Sequence, residues 1–186
     1  MITADAFATQ ACSDAYNGIT YEQLDCQAFV ERVLKDCGVR NARDKPYDWK
    51  GSNDMWRNAL FWKGTIDECR RMFGCIPLGA WVFIVKHDGG EVARGYHDQE
   101  GNATHVGIYC RGGDTPVRDS TRSSARNGVG YRSLSDFTNV GLPKMLGFSS
   151  LSFDAPENPA ELVSNIDHYL ETARSMLSEL KRMIGG

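Results

Sequence analysis

The apolar pattern of this chain changes period at Pro77-Leu78-Gly79, and that change narrows the folds open to it. Upstream, Phe29, Val30, Val33, Leu34 and Cys37 follow the helical period, and Gly38 supplies a stop. Asp25 is a good N-cap for this helix, which puts Cys26 in its first turn. The first 24 residues are polar with scattered aromatics, and residues 40–51, rich in Asp, Lys, Pro and Gly, read as a loop. Short helices are expected over 53–62 after Ser52 and over 66–73 after Thr65, the second with Thr65 and Glu68 in capping-box spacing. Downstream the pattern is that of strands: 81–85, then 104–110 after a Gly-rich charged excursion from His87 to Asn102. Further strands are expected over 116–121, over 129–134 and within 144–148. Helices followed by a strand meander favour an α+β fold.

The end of the chain differs in kind. Asp154-Ala155-Pro156-Glu157 reads as a linker, and Asn158, Pro159 and Glu161 supply the start of a helix. Leu162, Ile166, Tyr169, Ala173, Met176, Leu180 and Met183 then alternate at spacings of 4 and 3, a coiled-coil-like seam. Residues 1–153 are therefore expected to form one domain, and 154–186 a linker and a long amphipathic helix. The seam suits packing back on the domain, self-association or assembly into a larger particle.

Composition excludes several classes. Hydrophobic residues at 41% and charged residues at 24% suit a globular domain. A net charge of −3 with no basic stripe argues against nucleic acid as a partner. No run approaches the roughly 18 apolar residues of a membrane span, so membrane insertion is not expected. Met1-Ile2-Thr3-Ala4-Asp5 lacks the basic and apolar regions of a secretory signal, so the expectation is synthesis in the cytoplasm. Cysteines stand at 12, 26, 37, 69, 75 and 110 without paired C-x-x-C motifs, and neither metal nor cofactor is expected. Cys37 and Cys110 sit in apolar patterns and read as small buried side chains, while Cys69 and Cys75 are near enough in sequence to pair, though nothing demands it.

The chemistry concentrates on three positions. A cysteine acts as a nucleophile when it is a thiolate, and the N–H groups and dipole at a helix start favour that anion. Cys26 is the cysteine so placed. His105 opens an apolar strand beside Gly107, where it suits the role of a base. A hairpin turning near Gly112-Gly113 returns residues 119–121 beside His105, offering Asp119 or Ser120 to orient the imidazole. Arg118, Arg122 and Arg126 read as a solvated edge or as receivers of a substrate carboxylate. Trp56 and Trp62 read as half-buried helix residues, and His87, His97 and His168 as solvated.

Asp25-Cys26-Gln27-Ala28-Phe29-Val30 resembles the nucleophile motif of NlpC-type cell-wall cysteine peptidases. Pro77-Leu78-Gly79-Ala80-Trp81-Val82-Phe83 is similar to their first core strand, and His105-Val106-Gly107-Ile108-Tyr109 to their H-V-G-I-Y strand. The resemblance spans about residues 16–148 and leaves the terminal helix aside. It implies a compact papain-like fold in which the nucleophile helix packs on an antiparallel sheet. The activity it implies is hydrolysis of peptidoglycan stem peptides between D-glutamate and the diamino acid. Transferred residue by residue, Cys26 is the nucleophile and His105 its base, with Asp25 as the helix cap. Asp119 stands where the family most often has a second histidine, and Tyr16 has the spacing of its oxyanion tyrosine, with Tyr21 competing. Gln27 and Ala80 depart from the family's serine and acidic residue. The action implied is on the cell wall, after export by another route or as a phage component. An amidase, an acyltransferase or a non-catalytic wall or phage component on the same fold is the alternative.

Overall fold

The computed structural model describes residues 2–87, 100–123 and 126–148, together with Arg174. In chain order the elements are β1 (Ile2–Thr3), α1 (Ala4–Ala11), α2 (Cys26–Asp36), α3 (Ser52–Asn58), β2 (Leu60–Thr65) and α4 (Ile66–Phe73). There follow β3 (Trp81–Lys86), β4 (Asn102–Tyr109), β5 (Val117–Arg122), β6 (Asn127–Arg132), β7 (Asn139–Pro143) and β8 (Leu146–Gly147). Single 3-10 turns lie at Asp14–Tyr16 and Leu134–Asp136. The mixed α+β composition is as expected. The linker and terminal helix expected over 154–186 lie outside the described residues, as do His97, His168 and most of the charged excursion.

Six strands form one antiparallel sheet in the order β2-β7-β3-β4-β5-β6, and β1 pairs with β8 in parallel. Successive residues of a strand point to opposite faces, and β3 divides its side chains accordingly. Trp81, Phe83 and Val85 join Phe29, Val30, Val33 and Leu34 of α2 in one buried cluster. Val82 joins Cys69, Met72 and Phe73 of α4, with Val117, Val140 and Leu142, in the other. Val33 and Leu34 are fully buried, and each such side chain contributes about 1.5–3 kcal/mol of transfer free energy. Helix α2 packs on β4 and β5, the strands that carry His105 and Asp119.

Several elements depart from the sequence reading. The helix expected over 53–62 ends at Asn58, and Leu60–Thr65 instead pairs with β7. Leu60 and Trp62 are buried and Phe61 half-buried, a period-2 pattern that three adjacent apolar residues conceal. Strand β7 itself was not expected; its Gly141 and Pro143 weaken the local strand signal. Helix α1 hides in a small apolar face, Ala4, Phe7, Ala8 and Ala11, with Thr3 accepting from the Ala6 N–H as its cap. Among the described residues no helix is long and apolar enough to cross a membrane.

Candidate active site

Cys26 is the first residue of α2 and is buried. Asp25 stands outside the helix in an extended conformation, and its Oδ1 accepts from the Ala28 N–H at 2.8 Å. That cap fixes where the helix begins, and so where the sulfur sits. The approach to the cap is tied to the sheet: the buried Ser120 hydroxyl donates to the Leu24 carbonyl, and the Val129 N–H donates to the Ile19 carbonyl at 3.0 Å. Gly128, at φ +121°, permits this approach; a Cβ there would stand 2.0 Å from the Ile19 oxygen.

His105 lies on β4 just after a bulge, where the register against β3 moves from Ile84↔His105 to Val85↔Ala103. Helix α3 pins the strand's start, with the Ala103 N–H donating to Asn53 Oδ1 at 2.8 Å. Strands β4 and β5 are paired at Ile108↔Arg118 and Tyr109↔Val117. Continued by alternation, that register sets Asp119 opposite Gly107, diagonal to His105 on the same face. Gly107 leaves room there: a Cβ would come within 2.7 Å of Val117 Cγ1 and 3.1 Å of Asp119 Cβ.

The His105 Nε2 and Asp119 Oδ2 lie 2.6 Å apart, with Asp119 fully buried. The Cys26 thiol lies beside the His105 ring, and its interaction with the imidazole is among the causes that raise the His105 pKa. With Nε2 engaged by Asp119, Nδ1 is the ring nitrogen left for sulfur. Burial alone would depress the His105 pKa, but the hydrogen bond to Asp119 and the interaction with Cys26 outweigh it and raise it to about 9. Burial would likewise raise the Asp119 pKa. The hydrogen bond and charge of His105, followed by the charge of Arg126, hold it below its ordinary value.

Asp119 has two further partners. Arg126 Nη2 donates to Oδ1, and Arg132 Nη1 donates to Oδ2 at 3.1 Å. Arg126 is therefore neither a solvated edge nor a free receiver of substrate, since its guanidinium is engaged with Asp119. Arg118 is buried, donates to Asn17 Oδ1 at 2.6 Å and lies 4.4 Å from the Tyr131 ring centre. Arg122 pairs with Glu22 at 2.7 Å and stays exposed.

The structure separates the two tyrosines that competed for one place in the sequence reading. Tyr16 is buried, but its hydroxyl donates to Asp36 Oδ2 at 2.9 Å and accepts from Gln10 Nε2. Burial pushes its pKa up to about 12. Asp36 closes the far end of α2, roughly 15 Å from Cys26 at 1.5 Å per residue. Tyr21 instead lies beside Cys26; burial first, then the charge of Cys26, raises its pKa. Ser120 points to the opposite face from Asp119, toward Leu24, and does not meet the imidazole.

Sequence reasoning also missed the strap over the helix start. Gln27 Nε2 donates to the Trp49 carbonyl, and the Trp49 N–H donates to Glu31 Oε1 at 2.7 Å. Tyr47 stacks on Trp49 at 4.7 Å, and Trp49 meets the buried Trp81 edge-on. Phe137, whose ring centre lies 5.9 Å from that of His105, covers the imidazole and also lines a cavity of about 360 Å³ with Thr65, Ile66, Arg70 and Leu134. All six cysteines are free thiols, so Cys69 and Cys75 are not paired. Cys110 is buried as expected, and Cys37 is half-buried. Among the described residues no group of three His, Cys, Asp or Glu is placed to hold a metal ion.

A buried thiol at a helix start, an imidazole on its sulfur and an ionised carboxylate behind the imidazole can carry out nucleophilic acyl transfer. Comparison with protein-family models, with curated proteins and with solved structures returned no match to this chain.

Proposed function

We propose that the chain is a cysteine hydrolase of papain-like architecture that cleaves peptide bonds in peptidoglycan stem peptides. The observation that carries the chemistry is the position of His105, between the Cys26 thiol and Asp119 Oδ2 at 2.6 Å. What supports the substrate class is the resemblance of residues 25–30, 77–83 and 105–109 to NlpC-type peptidases.

The Cys26 thiolate attacks the scissile carbonyl and forms the carbon–sulfur bond. The Cys26 N–H at the helix start and the Tyr21 hydroxyl hold the resulting oxyanion; losing one such donor typically costs on the order of 10²–10³ in rate. The imidazolium of His105 gives its Nδ1 proton to the leaving amine as the carbon–nitrogen bond breaks. Neutral His105 then takes a proton from water, whose oxygen attacks the thioester and releases the acid and the thiolate. Asp119 keeps the other imidazole proton on Nε2 throughout.

The test is the iodoacetamide alkylation rate of each cysteine from pH 4 to 9, read by mass spectrometry, followed by digestion of muropeptides with Cys26→Ala as control. Fast alkylation of Cys26 below pH 7 that is lost in His105→Ala, with muropeptide cleavage lost in Cys26→Ala, supports the proposal. A Cys26 that reacts no faster than the other five thiols overturns the chemistry. A reactive Cys26 with no muropeptide cleavage removes the wall substrate and leaves an amidase or acyltransferase.

A further inference from the structure

We infer that Arg126 and Arg132 are positioning residues of this site: by neutralising Asp119 they leave the charge of a protonated His105 directed at the Cys26 sulfur. This rests on the reading of Cys26 as nucleophile and His105 as base. A buried carboxylate facing a single imidazolium would spend its charge on that partner, and the pair would present little field to a neighbouring sulfur. Here the carboxylate has three partners. Arg126 holds Oδ1, while Arg132 shares Oδ2 with His105 and pairs with Asp136 at 3.0 Å. In formal charges the two arginines and two aspartates cancel, so a protonated His105 leaves one positive charge in excess beside Cys26.

Both guanidinium groups are fixed by contacts other than Asp119. Arg126 Nη1 donates to the Tyr131 carbonyl at 3.0 Å. It occupies space left by Gly130, where a Cβ would come within 2.5 Å of Nη1. Arg132 lies 5.0 Å from the centre of the Phe137 ring, and that ring covers His105. The forks are thus in place for the carboxylate, and their geometry leaves Oδ2 aimed at Nε2.

Among the described residues, the other charged or titratable groups around the pair are engaged. Asp25 caps α2, and Glu31 accepts from the Trp49 N–H. Tyr21 faces the sulfur, and Arg122, 5.4 Å from the centre of its ring, is paired with Glu22. The arginines that act on Asp119 are therefore Arg126 and Arg132.

The test compares the pH dependence of Cys26 alkylation by iodoacetamide in the wild type, Arg126→Gln, Arg132→Gln and the corresponding lysine variants, with thermal unfolding of each. The expected result is that either glutamine moves the acid limb up by about one pH unit, roughly a tenfold loss of rate at pH 5. Lysine, which keeps the charge, recovers most of it. Folded glutamine variants that lose melting temperature but keep the wild-type acid limb would overturn the inference and leave the arginines a structural role. Gly130→Ala, which displaces the Arg126 fork at constant charge, is expected to shift the limb less and in the same direction; it serves where the glutamine variants do not fold, and an unmoved limb there counts against the inference. A wild-type Cys26 with no acid limb below pH 7 sinks the reading beneath it, an outcome distinct from an unmoved limb in the variants.

Discussion

Cys26 and Cys69 are buried thiols on helices packed against opposite faces of one sheet, and they differ in what stands at the sulfur. Cys26 opens α2 behind the Asp25 cap and meets His105 and Tyr21. Cys69 lies inside α4, where its hydrogen-bond partner is the Cys75 carbonyl at 3.8 Å. Burial pushes the Cys69 thiol up to about 12, the neighbouring Cys75 adding to it. Burial by itself makes a cysteine inert; a helix start and an imidazole are what make one useful.

The comparison breaks most visibly at Asp119. Asp119→Ala strands Arg126 with no counter-charge and is expected to cost about 3–5 kcal/mol in denaturant unfolding, as broken buried ion pairs do. A cost under 1 kcal/mol would mean that the carboxylate is not the hub of the cluster. Next in size, His105→Ala should slow Cys26 alkylation at pH 6 by roughly a hundredfold, within the range of acid–base contributions. Cys69 should be unmoved; an equal loss at both thiols would point to unfolding.

A pH series sharpens the contrast further. The His105 pKa is raised to about 9, so its contribution to stability is complete below its unfolded value near 6.5 and is lost as pH rises through 9. Thermal unfolding between pH 6 and 10 should show a fall that is shallower in His105→Ala. The Asp119 pKa is lowered, so its contribution is present above the ordinary carboxylate value and fades as pH drops through the folded one.

The smallest effects separate the two helix starts. Asp25→Ala and Thr65→Ala each remove an N-cap and should each cost about 1 kcal/mol. Alkylation of Cys26 should change in Asp25→Ala and stay constant in Thr65→Ala. If both caps leave Cys26 alike, the helix start contributes nothing to the thiol.

What the sequence made legible was local. Asp25 and the apolar period behind Cys26 mark a helix start without reference to the rest of the chain. His105 and Asp119 follow from one strand and one hairpin turn, because pairing carries register over a few residues. Tyr16 against Tyr21 was not local, since the spacing suits both and the Asp36 carboxylate, at the far end of α2, takes the Tyr16 hydroxyl. Arg126 and Arg132 were hidden for a similar reason: Gly130 and the turn at Leu134–Asp136 aim them. Strand β7, with its Gly and Pro, takes its form from two neighbours far away in the chain.

The clamps on the nucleophile loop join distant stretches of chain. Arg118 reaches Asn17 across 101 residues, Ser120 reaches Leu24 across 96, and Asn127 reaches Glu22 across 105. Each such contact requires the closure of a long loop. On a ribosome, Cys26 emerges well before its histidine and carboxylate exist. In the growing chain that thiol stands without its partners, and the proposed site is assembled when the β5–β6 hairpin docks.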